Sequence, residues 1–536
     1  MKDEFVDLSF PLAGLDVSQR FGKQPVRQLP GGVYGRTTAE AVNVRGYEPS
    51  TGRLRGGSRS GLSRYINAKV NGANLIQNLS VVVGTGYTDP ASGTQTSEVN
   101  RIVNVVAVSA GEVKVASPGA TAWTAVTNGT GYTVPLTATG IIRSAVLNQK
   151  VYFADGARRV LYDPSDNQLE TWNASGGTFP SNTAGTAYPR LICLWRGRLV
   201  LSALESDPQN WFMTKIDDGT DFNYTPDVAT ADQAVAGNNG PLGLVGDVVT
   251  SLIPFNDDVL VFGCDSSIYA LNGDPFAGGQ LDRIVKGTGM AFDAWCMDDK
   301  GNIFFLGQRG GFYAMTPGSQ PQRISQPVEQ HLRDINTGTH AVRMVYDDRN
   351  QGMHIFITKI SAAAPTTHFF WEARSAAWWM DEFANTSHNP LATCVFDGNL
   401  QADRTILIGS WDGYVRSVDE DATTDDNTAI ESSVVLGPII SDTFDEMLIR
   451  ELQAIMGEDS GDVTFAIHVG STAEAALAAD AIETGTFEAG RNPTTAVRCS
   501  AHAIIVRLTA TTRWSMEQLK IFVSVRGKAK RRAMAS

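Results

Sequence analysis

Cysteine is scarce. Five residues (Cys193, Cys264, Cys296, Cys394 and Cys499) are scattered through 536, with no Cys-x-x-Cys pair. That spacing excludes a disulfide framework and a cysteine zinc site, and it points to a reducing compartment. Histidine is also sparse. The seven (His331, His340, His354, His368, His388, His468, His502) form no His-Glu-x-x-His or comparable spacing, so metal catalysis lacks its ligands. His354 and His468, inside strand-like runs, read as packed or surface residues. Neither a Gly-x-Ser-x-Gly elbow nor a Walker loop occurs. No apolar run approaches the roughly 20 residues that span a bilayer, and the acidic opening MKDEFVDLSF lacks the apolar centre of a signal peptide. The expectation is a soluble chain made in a cytoplasm, with no cofactor, no metal and no membrane insertion.

Basic residues are in deficit too. Lys and Arg number 44 against 57 Asp and Glu, a net charge of −13, which argues against a protein that coats nucleic acid. The deficit is uneven: residues 1–66 hold ten Lys/Arg and six Asp/Glu, a net of +4, leaving −17 for the rest. Within that segment NVRGYEPSTGRLRGGSRSGLSRYI (43–66) carries Arg45, Arg53, Arg55, Arg59 and Arg64, five glycines and a single carboxylate, Glu48. Glycine with guanidinium is chemistry that cradles phosphate, but no helix N-terminus follows to aim amides at an anion, and Pro49-Ser50-Thr51-Gly52 is turn chemistry. The stretch reads as an assembly strap whose five arginines pair with carboxylates of a neighbouring chain; contact with DNA is the alternative.

What the chain does have is glycine (52 residues), aromatics and short β-like runs, while long helical windows are few. A run, a turn and a second run recur in IVNVVAVSAGEVKVA (102–116), KVYFADGARRVLYDP (150–164), GRLVLSALESDPQNWFMTKI (197–216) and VLVFGCDSSIYAL (259–271). They recur again in IFFLGQRGGFYAM (303–315), HIFITKISAAAPTTHFFWE (354–372) and ILIGSWDGYVRSV (406–418). The centres lie about 40–50 residues apart, with one longer gap, which is the period of β-propeller blades. Sandwich strands would recur every 8–12 residues or so. The fold class expected is all-β: a propeller of six or seven blades plus a β-sandwich-like platform built from N- and C-terminal segments. The division expected is 1–66 strap and platform strands, 67–428 propeller, 429–525 platform and 526–536 a basic tail. DEDATTDDNT (419–428) reads as an acidic linker with nothing to bury, and TAEAALAADA (472–481) as a short helix.

Candidate chemistry has a bland reading beside each sharp one. GTGYT (84–88 and 129–133) and GTGM (287–290) lack the third glycine and following helix of a dinucleotide loop. Carboxylates cluster in KIDDGTDF (Asp217, Asp218, Asp221), MDDKGN (Asp298, Asp299) and YDDRNQG (Asp347, Asp348). They suit an acid–base pair or calcium, but equally the β-turns whose residues surround them. WWMDEF (Trp378, Trp379, Phe383) and SWDGY (Trp411, Tyr414) suit sugar stacking or inter-blade packing. No residue is singled out as catalytic.

Residues 11–62 resemble the opening of the tail nozzle family of short-tailed bacteriophages, also called tail tubular protein B. The likeness rests on Gly14 to Gln19, Leu29-Pro30, Asn43-Val44 and the Gly-Gly-x-Arg-x-Gly turn from Gly56 to Gly61, where Ser60-Gly61 replaces the usual Pro-Gly. Residues 247–275, 286–315 and GDVTFAIHVG…RWSMEQLKIFVSVRG are similar to that family's mid-chain and closing sandwich. The resemblance implies a structural virion protein: a ring, a hexamer, below the portal and adaptor, contacting fibre or spike proteins and surrounding double-stranded DNA without reading its sequence. An acidic lumen would repel the passing duplex. Synthesis would be in the host bacterial cytoplasm. A virion-borne propeller hydrolase or a carbohydrate-binding protein acting on host surface polysaccharide is the alternative.

Overall fold

Short apolar runs punctuated by turn residues fold here as four-stranded antiparallel meanders, each blade's inner strand lying at a common axis. The computed structural model describes residues 3–29, 32–86, 100–132, 135–398, 403–440 and 445–525. The basic tail at 526–536 and parts of both GTGYT stretches lie outside the described residues. Among the described residues seven such sheets follow in chain order, with inner strands Ile76–Gly86, Arg143–Leu147, Leu191–Trp195, Val249–Pro254, Met290–Met297, His340–Asp347 and Pro390–Phe396. Each inner strand neighbours the next, and the seventh returns to the first. The fold is an all-β propeller of seven blades. Every one of the seven repeats seen in the sequence lies in a different blade. The second strands are apolar on both faces because each blade is covered on two sides: all of Ile303–Gly307 is buried.

The ring closes with a strand from the chain's beginning. Gly61–Arg64 pairs antiparallel with Val415–Asp419 and so completes blade seven, and Asp425 pairs with Leu62 on its other edge. The sequence places the first segment with the strap and the second in an acidic linker at the end of the propeller. The linker expectation is corrected: Asp425 is fully buried, and Asp426 is almost so. An isolated acidic run has nothing to bury, but these carboxylates have arginines opposite them.

Blade six does not end at its fourth strand. Ala377–Asp381 pairs with Ala41–Val42, which pairs with Ser432–Ile440, and the sheet runs on through Ala503–Ala510 and Val463–Gly470 to Ala481–Phe487. A second sheet, ordered Asp3–Asp7, Met516–Val525, Met447–Met456 and Thr495–Ala501, shares a core with this extension. The result is a sandwich made from both ends of the chain and continuous with one blade. The helix expected at 472–481 is Ala473–Ala478, capped by the Thr472 hydroxyl, which accepts from the Ala475 amide.

Period-two alternation in Ala377–Asp381 sends Trp378 and Trp379 to opposite faces. Trp378 packs in the propeller core with Phe312 and Phe369, and Trp379 in the platform core with Phe10. One strand thus anchors both lobes. Both indoles are fully buried, so neither is a sugar platform.

Candidate functional site

Two clusters of charge stand apart from the turns: a seam between propeller and platform, and the propeller axis. The seam is made by the strap. Arg45 forks onto Asp381 at 2.7 and 2.6 Å, with its guanidinium 4.3 Å from the Phe370 ring centre. Arg59 forks onto Asp425 at 2.9 and 2.6 Å, and its Nε donates to Asn43 Oδ1 at 2.8 Å. Asn43, held in the left-handed region at φ 56°, also accepts from the Glu382 amide and donates to the Glu431 carbonyl. Arg64 Nε meets Asp426 at 2.7 Å and lies 4.0 Å from the Tyr414 ring centre; Arg416 binds the same Asp426 and forks onto Asp412. Arg55 joins Glu48, Asp459 and Glu517, tying the strap hairpin to the platform. Burial alone would raise the Asp381 carboxyl, but Arg45 and Arg59 hold it below the usual carboxylate range.

Four of the five strap arginines therefore find their carboxylates in the same chain. The chemistry expected of them, guanidinium forks on carboxylates, is present, and the partner residues are in the strap's own fold. A neighbouring chain is not what these four need. Arg53 differs: it is exposed. The glycines between them are close approaches. A Cβ at Gly57 would overlap the Trp514 carbonyl, and one at Gly61 the Thr424 carbonyl. The Gly-Gly-x-Arg-x-Gly phrase is thus the place where the strap crosses platform and blade seven backbone to backbone.

At the axis, residues from all seven inner strands line a cavity of about 510 Å³. Arg143 of blade two, Asp293 of blade five and Arg343 of blade six meet there. Arg143 Nε lies 2.7 Å and Arg343 Nη1 2.5 Å from the same Asp293 Oδ2, and Arg343 Nε donates to the Leu391 carbonyl at 3.1 Å. Asp293 has φ 52° and sits where the pairing of Met290–Met297 shifts register, a bulge that turns its side chain. Burial would raise its carboxyl; the two guanidinia hold it below the usual range. Burial, only partly offset by Asp293, and the repulsion of Arg343 bring Arg143 down to about 10. A carboxylate held ionised by two cations is a poor proton donor.

This cluster was missed in the sequence. Each member is a lone charge inside an apolar inner-strand run, in IIRSAVL, MAFDAWCM and HAVRMVY, and charge inside a buried run is the signal that would have found it.

The acidic clusters form turns. Asp218 accepts from the Thr220 amide, Asp221 from Asn223, Asp298 from Lys300 and Asn302, and Asp347 from Arg349 and Asn350, while Asp348 pairs with Arg404. His354 and His468 are buried, and all five cysteines are free.

His368 supplies a test of the fold. Its Nδ1 accepts from the Ile357 amide at 3.0 Å and its Nε2 faces Asn389 Oδ1 at 2.9 Å, which fixes a neutral, fully buried imidazole. Burial lowers its pKa from 6.5 to about 4. Between these values the unfolded chain binds a proton that the folded chain refuses. Stability is therefore full above the unfolded value and is lost as pH falls from 6.5 towards 4, by about 3 kcal/mol. Urea midpoints measured across that window should fall with pH, and His368→Gln should flatten the slope. An equal slope in the variant would assign it to other groups.

No protein-family model and no curated protein matches the chain. Solved structures resemble it in fold. The extracellular domain of a hybrid two-component system from B. thetaiotaomicron is 12% identical, with 88% of this chain and 57% of that chain covered and a TM-score of 0.42. YCF48 bound to D1 peptide is 10% identical, with 66% of this chain and 95% of that chain covered at a TM-score of 0.37. The Dos1 propeller is 10% identical, with coverages of 57% and 88% and a TM-score of 0.33. At these values none bears on chemistry or partners.

Proposed function

We propose that the chain is a structural, non-enzymatic subunit of a bacteriophage tail, a nozzle protein that assembles as a ring, a hexamer, around the DNA ejection channel. The observation that carries this reading is the role of the residues behind the family resemblance. Asn43, Gly57, Arg59 and Gly61 are the ones that lock strap, platform and blade seven into one body. A ring that holds pressurised DNA needs subunits whose lobes do not hinge, and buried forked ion pairs across a seam favour one geometry over others. The same N-terminal segment exposes Phe5, Val26 and Tyr34, at 59, 53 and 66% of their surface, apolar area of the kind a neighbour covers. In this reading the subunit sits in the virion below the adaptor, with fibre or spike proteins as further partners.

Negative-stain electron microscopy of purified protein and of virions tests the proposal. Six-fold rings at the tail support it; a monomer that cleaves host polysaccharide overturns it. Arg53→Glu should weaken ring formation while leaving the melting temperature unchanged. Reversal at Arg55 or Arg59 should instead damage the fold, because their carboxylates are internal.

A further inference from the structure

The axis cluster has a charge imbalance that the protein leaves standing. Two guanidinia meet one carboxylate, and a third, Arg190, adds to the repulsion on Arg143. Both arginine side chains are 13% exposed, and both line the 510 Å³ axis cavity and a smaller one beside it. Their bonding is incomplete. Among the described residues Arg143 uses Nε alone, and Arg343 uses Nε and Nη1. Three terminal amino groups in all keep donors without a protein partner.

We infer that the propeller axis is a binding site for a small organic carboxylate, seated against Arg143 and Arg343. Planar guanidinium forks match a carboxylate in geometry and charge. A single negative charge cancels the excess of one that Arg143, Asp293 and Arg343 leave. A phosphate dianion would overshoot that excess and meet stronger repulsion from the ionised Asp293. The volume is that of a small-molecule site and admits a whole sugar-acid or amino-acid-sized molecule. The walls suit its uncharged body: exposed Leu194 and half-buried Trp295 offer apolar surface, with Thr393 as a hydroxyl beside them. Asp293 would then hold the two arginines apart and oriented when the site is empty, and compete with the ligand for them.

Isothermal titration of the full chain with D-glucuronate and L-glutamate, against glucose and inorganic phosphate, tests this. The expected result is saturable binding of at least one carboxylate and none of glucose. Arg143→Gln and Arg343→Gln should each weaken it about tenfold or more, and Asp293→Asn should tighten it by freeing both guanidinia. Circular dichroism checks that each variant is folded, and Arg143→Lys, which keeps the charge but not the fork, replaces Arg143→Gln if that variant is not. Absence of binding by both carboxylates, binding that none of the variants alters, or binding of phosphate alone would overturn the inference. The titration does not depend on ring formation, so its outcome stands apart from that of the nozzle reading.

Discussion

Arg59→Met should destabilise the protein by about 3–5 kcal/mol, because it strands the buried Asp425 carboxylate. Asp425 is fully buried, and its two oxygens take the Arg59 fork, with the Ala384 amide adding a third bond at 3.2 Å. Methionine fills much of the volume of the arginine stem but offers no donor. The loss falls at a joint: Arg59 also holds Asn43 and the Glu382 carbonyl, and its own amide donates to Asn43. Two residues on, Gly61–Arg64 closes blade seven. The variant's urea midpoint should drop, and protease should cut first near residues 64–76, where the closing strand leads into blade one. The double variant Arg59→Met with Asp425→Leu should recover much of the loss, since it removes the stranded charge together with its partner. A single variant within about 1 kcal/mol of the parent would show that water reaches Asp425.

The propeller was legible because its signal is local. Each blade must bury a run such as VLVFG or IFFLG on both faces, and turn residues must follow at short range, so the period shows in the sequence itself. What joins the lobes was not legible, because it lies between residues hundreds of positions apart. DEDATTDDNT looked solvated, since a run of carboxylates tells nothing of the Arg59, Arg64 and Arg416 that face it. Arginines spaced between glycines point to carboxylate partners, but spacing cannot say whose. Ser60-Gly61, where the resemblance expected Pro-Gly, keeps the one residue the crossing with Thr424 requires. The axis cluster escaped for a related reason. Arg143, Asp293 and Arg343 come from three blades, and only closure of the ring sets them within hydrogen-bond distance. Charges isolated in apolar strands are visible one at a time; their meeting is a property of the topology.

The paired tryptophans give the second large effect and a finer test of the shared strand. Trp379→Ala should cost about 3–5 kcal/mol, as for large aromatic truncation in a packed core, and Trp378→Ala should cost about as much. The conservative variants should separate them. Trp378 Nε1 donates to the Ile324 carbonyl at 3.0 Å, so Trp378→Phe leaves that acceptor without its donor. Among the described residues Trp379 Nε1 is buried without a hydrogen-bond partner, so Trp379→Phe removes an unsatisfied donor along with part of the ring. A buried unpaired donor costs on the order of 1–3 kcal/mol. Trp379→Phe should therefore be the milder of the two, by about 1–2 kcal/mol, although the two indoles are equally buried and one residue apart. Their locations differ as well. Loss at Trp379 should expose the platform core around Phe10, and loss at Trp378 the blade-five and blade-six core around Phe312, as hydrogen exchange of the two lobes would read. If both alanine variants instead released both lobes together, Ala377–Asp381 would be a single cooperative spine rather than a strand with two separable faces.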